Sequence, residues 1–171
     1  EYRFKTIYTK EPETIYWINK IFKKEDTFID IGANIGVYSI YASKKKIKTY
    51  SIEPFVKNYK NLKKNIKLNN LGNCFTIHAG ISNFTGKGYF NNGGDNRYGS
   101  SGGFVLKNKK KVDGRKINVI TIDKLIDKID IKTDFHIKID IDNNLISALE
   151  GCEKTLKNKK FKSALIETEL N

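Results

Sequence analysis

The chain has 171 residues, of which 39% are hydrophobic and 12% aromatic. This composition excludes a disordered chain and is sufficient for one core, so the sequence predicts a single domain over residues 1–171. No apolar run is long enough to cross a bilayer, and no signal-peptide pattern is present. The two cysteines, Cys74 and Cys152, lack metal-ligand spacing and fit a reducing compartment, so we expect a cytoplasmic protein. The chain begins at Glu1 rather than Met, which indicates a piece of a longer protein.

The formal net charge is +13, carried by 32 basic residues against 19 acidic ones. Such an excess is typical of proteins that bind nucleic acid. However, only Arg3, Arg97 and Arg115 are arginine, the side chain that reads phosphates and bases best. The lysine runs fall in loops or at the ends of predicted elements, as solvated surface does. Nucleic acid is therefore not expected as a partner, although an RNA-binding protein remains an alternative.

Residues 1–26 are predicted to form an N-terminal extension made of a strand and a helix. Residues 1–11 alternate loosely in hydropathy, as a short edge strand does. Pro12 suits the first turn of a helix, which an apolar stripe extends to about Lys23. The stripe consists of Ile15, Ile18, Ile21 and Phe22. This helix is expected to pack on the sheet that follows.

The segment from Thr27 to Tyr38 is the strongest local pattern in the chain. An apolar run predicts a buried strand, Gly32 and Gly36 predict a turn, and helical spacing resumes at Val37. Strand, glycine turn and helix form the first unit of a parallel α/β sheet, which binds ligands at the carboxyl ends of its strands. A side chain at either glycine would block that approach, and the free N–H groups of the next helix favour an anionic group.

An acidic residue follows the second predicted strand. This strand lies near residues 47–52 and ends at Glu53, about 20 residues after Gly32, which is the offset at which a carboxylate binds a ribose in nucleotide-binding α/β folds. Hydrogen bonds from ribose hydroxyls to such a charged acceptor contribute about 1.5–3 kcal/mol each. We therefore interpret Glu53 as a ribose ligand. The alternative is a surface glutamate that caps the next helix.

A helix over residues 56–69 and a third strand over residues 74–81 continue the alternation. Residues 82–116 then interrupt it with a segment rich in glycine, asparagine and serine. A loop of this length in a compact domain is usually functional, and it should overhang the carboxyl ends of the strands. We predict a hairpin and lid that face the substrate. A flexible, lysine-tipped excursion is the alternative.

Strands and helices alternate again after this insertion. The expected elements are a short strand over 117–120, a helix that starts at Thr121, a polar linker over 127–134, a fourth strand over 135–141, a helix over 145–156 and a fifth strand over 163–167. The complete pattern predicts an α/β fold with a doubly wound, mostly parallel sheet between two layers of helices.

The glycine turn does not match the dinucleotide fingerprint, which requires glycine where Asn34 and Val37 stand, and it lacks the Gly-Lys-Ser/Thr of a P-loop. The spacing Asp30-x-Gly32-x-Asn34-x-Gly36 instead resembles the first motif of class I S-adenosylmethionine (SAM) methyltransferases. The sequence D-I-G-A-N-I-G at 30–36 resembles the corresponding motif of the FkbM-type family within that class. Three further segments are similar to this family: Glu-Pro-Glu at 11–13, T-I-D-K-L-I at 121–126 and K-I-D-I-D at 138–142.

The resemblance extends over nearly the whole chain and implies a Rossmann-like class I fold. A complete fold of this class has two further strands after the fifth, so we expect a domain that lacks the last strands. The sequence Asp142-Asn143-Asn144 departs from the family, where Glu-Gly-x is usual. This departure shortens the acidic side chain at position 142 by one methylene and leaves its role open.

The resemblance implies SAM as the cofactor. The implied cofactor-binding residues are Asp30, Gly32, Ala33, Asn34 and Gly36 in the turn, Glu53 at the ribose, Gly80, Ile81 and Ser82 beside the adenine, and Asp140 after the fourth strand. Asp140, Asp142 and Asn143 also carry oxygen ligands of the kind that Mg²⁺ prefers. No metal is predicted, because Asn143 is expected to be helical already while the two aspartates share a strand face.

The function implied is O-methylation of a hydroxyl on a sugar, glycan or related metabolite. A hydroxyl is a poor nucleophile, so a nearby general base would assist the reaction. Asp140 and Asp142 are the first candidates for this base, and His136, at the start of its strand, is the last. An RNA-methylating enzyme and a methyltransferase-like relic without activity are the alternatives. The oligomeric state is not predicted.

Overall fold

The computed structural model describes residues 6–93, 97, 99, 102–108, 114–141 and 143–168. The predicted base Asp142 therefore lies outside the described residues, as do Tyr2 and Phe4 of the expected N-terminal strand. The strands are β1 (Thr27–Ile31), β2 (Lys48–Ile52), β3 (Cys74–Ile77), β4 (Gly80–Ile81), β5 (Gly86–Asn91), β6 (Phe104–Leu106), β7 (Arg115–Ile120), β8 (Phe135–Ile139) and β9 (Phe161–Ile166).

Seven helices accompany these strands within the described residues. They are α1 (Ile7–Lys10), α2 (Pro12–Lys20), α3 (Val37–Lys44), α4 (Val56–Leu68), α5 (Ile122–Ile129), α6 (Leu145–Glu150) and α7 (Glu153–Leu156). Local chemistry sets several of their ends: Pro12 opens α2, and the Thr121 hydroxyl caps α5 by accepting the N–H of Lys124 at 3.1 Å. None of these helices combines the length and the apolar character needed to span a bilayer.

Five parallel strands form the central sheet, in the order β3-β2-β1-β8-β9. The inner strands β1 and β8 are buried on both faces, as expected in a parallel sheet, although Asp30, His136 and Lys138 interrupt their apolar runs. Phe28 of β1 packs against α2 and α3, whereas Ile29 and Ile31 point to the opposite face and pack against α5. The predicted doubly wound, three-layer α/β fold is therefore confirmed.

A second sheet, in the order β4-β7-β5-β6, stands after the carboxyl end of β3. Strands β5 and β6 form an antiparallel hairpin, and β5 also pairs with β7 in an antiparallel register. Val105, Ile117 and Val119 form its own small apolar cluster. The predicted hairpin within residues 82–116 is thus present, and it is part of a sheet rather than an isolated loop.

The N-terminal extension differs from the prediction. Residues 7–10 form helix α1, not an edge strand, so that part of the expectation is wrong. The amides of Thr9 and Lys10 both donate to the carbonyl of Thr6, at 3.0 and 2.8 Å. These local bonds satisfy the backbone without a neighbouring strand, and a short alternation in hydropathy does not outweigh them.

The third strand is also shorter than predicted. It ends at Ile77, and the chain passes into the second sheet, where Gly80 and Ile81 pair with β7. A Cβ at Gly80 would lie 2.7 Å from a methyl carbon of Val105, so glycine permits the close approach of the hairpin. The helix expected over 145–156 is likewise divided in two at Gly151, where a Cβ would lie 2.8 Å from the carbonyl oxygen of Ser82.

The glycine turn after β1 is required by the packing of the chain itself. Gly32 and Gly36 have φ angles of 82° and 90°, a region that other residues rarely adopt. A Cβ at Gly32 would lie 1.8 Å from the carbonyl oxygen of Asp140, and one at Gly36 would lie 2.4 Å from Leu62. The two glycines therefore allow the turn to pack against the end of β8 and against α4, in addition to any role with a ligand.

This packing predicts that one glycine substitution destabilises the fold and that another leaves its stability unchanged. We expect Gly32→Ala to destabilise the fold by more than about 3 kcal/mol, because it combines an unfavourable φ with a backbone clash. Gly72→Ala serves as the control, since no atom lies within 4 Å of a Cβ there, and should change stability by less than about 0.5 kcal/mol. Urea unfolding followed by circular dichroism measures both, and equal stabilities would contradict the packing argument.

Candidate functional site

Four residues stand in a row at the carboxyl edge of the central sheet. Glu53, Gly32, Asp140 and Glu167 directly follow β2, β1, β8 and β9, and the strand registers place their preceding residues side by side. Because neighbouring strands lie about 4.8 Å apart, the row extends over roughly 14 Å. It forms the floor of a cleft between the sheet and the β5–β6 hairpin.

The cleft is lined by backbone and side chains from both ends of this row and from the hairpin. The lining residues are Lys10, Gly32, Asn34, Glu53, Pro54, Phe55, Asn58, Ile81, Phe90, Asn92, Gly103, Phe104, Val105, Asp140, Ile141, Asn144 and Glu167. Its β2 end contains the apolar rings of Phe55 and Phe90, whose centroids lie 6.0 Å apart. Its β9 end contains the carboxylates of Asp140 and Glu167.

Glu53 is buried and held by backbone amides. The N–H of Asn34 donates to Oε2 and the N–H of Phe55 donates to Oε1, both at 2.8 Å. Burial is the largest influence on this carboxyl and raises its pKa to about 7, while the two backbone hydrogen bonds act in the opposite direction. Each oxygen keeps a lone pair beyond these bonds, so the carboxylate is oriented and can still accept from a ligand.

The other residues predicted in the glycine turn have different surroundings. Asn34 lines the cleft, where its φ of 53° turns the backbone N–H toward Glu53. Ala33 is buried in an apolar cluster with Leu62 of α4. Asp30 lies beneath the turn, where the Ser39 hydroxyl donates to its carboxylate and burial raises its pKa to about 6. Asp30 thus supports the turn from below.

Of the three residues predicted beside an adenine, only Ile81 lines the cleft. Its side chain is 3% exposed. Gly80 packs beneath Val105 of the hairpin, and Ser82 donates its N–H to the carbonyl of Ile120 at 3.4 Å. The contacts of both positions therefore lie within the second sheet, and neither residue lines the cleft.

The segment between β5 and β6 contacts the glycine turn and α4 through Gly99. The N–H of Gly99 donates to the side-chain oxygen of Asn58 at 2.8 Å, and its carbonyl accepts from the side chain of Asn34 at 3.4 Å. Phe90 and Phe104, from β5 and β6, line the same cleft. The hairpin therefore contacts both the glycine turn and the start of α4.

Asp140 lies beside a buried lysine that the sequence-based site did not include. The Lys138 ammonium lies 3.1 Å from Asp140, 3.2 Å from Glu11 and 3.6 Å from Glu167, and its side chain is 1% exposed. It also lies 5.1 Å from the ring centroid of Tyr38. Although burial opposes its charge, the surrounding carboxylates raise the pKa of Lys138, so the ammonium is retained.

Of the residues in this cluster that the sequence-based prediction missed, Lys138 alone has a signal in the sequence. Lysine is rarely fully buried unless it is paired, and Lys138 interrupts an otherwise apolar strand. That position alone predicts nearby carboxylates. The partners could not be chosen from spacing, because Glu11 and Glu167 lie more than a hundred residues apart in the chain.

His136 is placed away from the cleft. Its side chain is buried on the α2 side of the sheet, where Nδ1 lies 2.8 Å from the Ser163 hydroxyl and Nε2 lies 3.0 Å from Asp26. Its ring stacks on Phe22, and the Trp17 indole N–H donates to Ser163 at 3.0 Å. These contacts join the N-terminal helix α2 to the sheet. The structure does not bring His136, the last-ranked candidate base, together with Asp140.

The buried ring of His136 is expected to contribute to the pH dependence of the free energy of unfolding. Burial lowers its pKa below the ordinary value of 6.5, so the unfolded chain takes up a proton first as the pH falls. The stability from the neutral ring is complete above about pH 6.5 and is lost progressively below it. We expect His136→Gln to lower stability by about 1–3 kcal/mol at pH 7.5 and by less at pH 5, as measured by urea unfolding. A constant difference at both pH values would contradict this.

The buried carboxyl of Glu53 is expected to make the free energy of unfolding depend on pH in the opposite direction. Its pKa rises from 4.5 to about 7 on folding, so the folded chain binds the extra proton and stability falls as the pH rises from about 4.5 through 7. We expect Glu53→Gln to reduce the loss of unfolding free energy between pH 5 and pH 8 by about 2–3 kcal/mol. The exposed Glu25→Gln is the control and should leave that loss unchanged. Urea unfolding at both pH values measures the difference.

Parts of the chain resemble solved structures of methyltransferases and related proteins. No curated protein matches the chain. The precorrin-6y C5,15-methyltransferase of Geobacter metallireducens GS-15 aligns with 41% of this chain and 39% of its own, at 22% identity and a TM-score of 0.36. TYW2 of M. jannaschii, solved in complex with AdoMet, aligns with 46% of this chain and 42% of its own, at 26% identity and a TM-score of 0.37.

A third solved structure is coclaurine N-methyltransferase, bound to N-methylheliamine and SAH. It aligns with 42% of this chain and 26% of its own, at 10% identity and a TM-score of 0.36. The chain thus spans less than half the length of each of these three structures, and the family assignment does not depend on them. It depends on the family model of the methyltransferase FkbM domain, which matches residues 30–171. The chain therefore belongs to the FkbM methyltransferase family.

Proposed function

We propose that this protein is a SAM-dependent methyltransferase that methylates a hydroxyl on a sugar, glycan or related metabolite. The observation that carries the proposal is the row of Glu53, Gly32 and Asp140 at the carboxyl edge of the sheet. Parallel α/β sheets bind nucleotide-like ligands at this edge. Membership of the FkbM family supplies the expectation of methyl transfer.

The cleft lining fits the separate parts of SAM. The Glu53 carboxylate is oriented by two backbone amides and has lone pairs left for the ribose hydroxyls. Phe55 and Ile81 offer an apolar surface for a purine ring. The backbone around Gly32 and the carboxylate of Asp140 lie farther along the row, in the direction in which the amino-acid part of the molecule would extend.

When bound, SAM supplies a methyl group made electrophilic by its sulfonium sulfur. The largest contribution of the protein is positioning, which supplies about 7–11 kcal/mol when two reactants are held in line. Glu53 and the glycine turn would hold the donor. The β5–β6 hairpin, which also lines the cleft, would hold the acceptor against it.

Asp140 is the proposed proton acceptor for the hydroxyl. Its side chain is 26% exposed, lines the cleft and is fixed by Lys138 at 3.1 Å. His136 is not proposed for this role, because its ring nitrogens contact Ser163 and Asp26 near the amino end of β8, away from the cleft. Asp142 lies outside the described residues and stays a sequence-based candidate.

Calorimetric titration with SAM tests the donor site. We expect the wild type to bind SAM and Glu53→Ala to bind at least tenfold more weakly, since it loses hydrogen bonds to a charged acceptor. Glu25→Ala, an exposed glutamate remote from the row, should bind as the wild type does. Absence of binding by the wild type, or equal binding by the wild type and Glu53→Ala, would overturn the proposal.

Transfer of a labelled methyl group tests the acceptor class. The wild type is incubated with labelled SAM and either a set of neutral methyl glycosides or total RNA, and the products are separated. We expect label in a methyl ether of a glycoside. Label in RNA alone would favour the RNA-methylating alternative.

A further inference from the structure

The end of β8 contains a buried ammonium surrounded by carboxylates from three separate segments. Glu11 comes from the N-terminal segment, Asp140 follows β8, and Glu167 follows β9. One oxygen from each of these carboxylates lies within 4.8 Å of the others, which is a spacing compatible with a shared metal ion. The Lys138 ammonium lies 3.1–3.6 Å from all three.

We infer that Lys138 is a positioning residue whose ammonium takes the place that a divalent metal ion would have among three carboxylates, and that it holds Asp140 and Glu167 toward the cleft. Three carboxylate oxygens without a central cation would repel one another and separate. A metal ion would bring them together at about 2.0–2.6 Å from its centre. An ammonium does so at the longer distances seen here.

The side chain of Lys138 fits this role better than a purely stabilising one. A buried ion pair is weak evidence for stability, because removing two charges from water costs about as much as their attraction returns. Here Lys138, together with Lys10 at 3.1 Å from Glu11, faces three carboxylates, so the cluster keeps a net negative charge. That arrangement is costly for the fold, yet two of the three carboxylates, on Asp140 and Glu167, line the cleft.

Glu167 is the member of the cluster that the cleft exposes most. Its side chain is 45% exposed, whereas that of Glu11 is 9% exposed. Its N–H donates to the carbonyl of Ile139 at 2.9 Å, which extends the ladder between β8 and β9 and fixes the backbone. Since it lies beyond Asp140 on the side opposite Glu53, it faces the acceptor. This part of the inference rests on the proposed function.

Two substitutions separate the charge of Lys138 from its volume. Lys138→Met keeps most of the side-chain volume and removes the charge, whereas Lys138→Ala removes both and opens space for an ion. We expect each variant to lower the Tm by roughly 10 °C, because the three carboxylates lose the buried cation that they share. Lys157→Met is the surface control, since that side chain is 74% exposed, and its Tm should stay within roughly 2 °C of the wild type.

Added metal then distinguishes a cation site from a generally weakened fold. We expect 1 mM Mn²⁺ to raise the Tm of Lys138→Ala by roughly 4 °C and to leave the wild type and Lys138→Met unchanged. The bound Mn²⁺ should also give a distinct paramagnetic resonance signal in Lys138→Ala alone. If Lys138→Ala is unfolded without metal, Mn²⁺ should restore its circular dichroism spectrum but not that of an unfolded Lys138→Met. An equal response of all variants to Mn²⁺ would overturn the inference, as would a Lys138→Met as stable as the wild type.

Titration with SAM adds the functional readout. We expect Lys138→Ala to bind SAM at least tenfold more weakly than the wild type, and Mn²⁺ to recover most of that loss by gathering the carboxylates again. Unchanged SAM binding in Lys138→Ala would contradict the positioning role while leaving the proposed function intact. A wild type that does not bind SAM would overturn the proposed function, and the role of Lys138 as a central cation would then be judged from the Mn²⁺ response alone.

Discussion

The register of the parallel sheet is the constraint on which the rest of the molecule depends. Ile52, Ile31, Ile139 and Ile166 end four neighbouring strands at the same level, so that the next residue of each strand faces the same cleft. A shift by one residue would send each following side chain to the other face of the sheet. The cleft therefore exists because four strands end together, and its chemistry comes from the four residues that follow them.

Buried charge is the second feature that distinguishes this edge. Asp30, Glu53 and Lys138 are each less than 5% exposed, and burial alone disfavours the charged form of all three. The chain compensates with the Ser39 hydroxyl, with backbone amides and with neighbouring carboxylates respectively. Several buried ionisable groups at one edge of a domain, each compensated by hydrogen bonds or ion pairs, are typical of a binding site rather than of a core selected for stability alone.

Periodicity and spacing were sufficient to predict the layers, the parallel sheet, the glycine turn and the position of Glu53 directly after β2, because these depend on contacts that are local or repeat along the chain. The positions of Glu11 and Glu167 could not be predicted, since their meeting at Lys138 depends on the three-dimensional path of three segments. His136 illustrates the same limit: its residue type suggested a base, but the α2 face on which it lies is set by tertiary packing. The division of residues 74–81 between two sheets likewise depends on the hairpin that covers Gly80.

Trp17 gives the molecule a built-in optical probe. It is the only tryptophan in the sequence, and its indole packs edge-on against Phe22 and His136 while donating to Ser163 of β9. Fluorescence excited selectively in this ring consequently reports on the seam between the N-terminal helices and the sheet. Glu11 directly precedes the same helix and contacts Lys138 near the end of β8, so the emission also reports, without any added label, whether this helix is attached to the sheet.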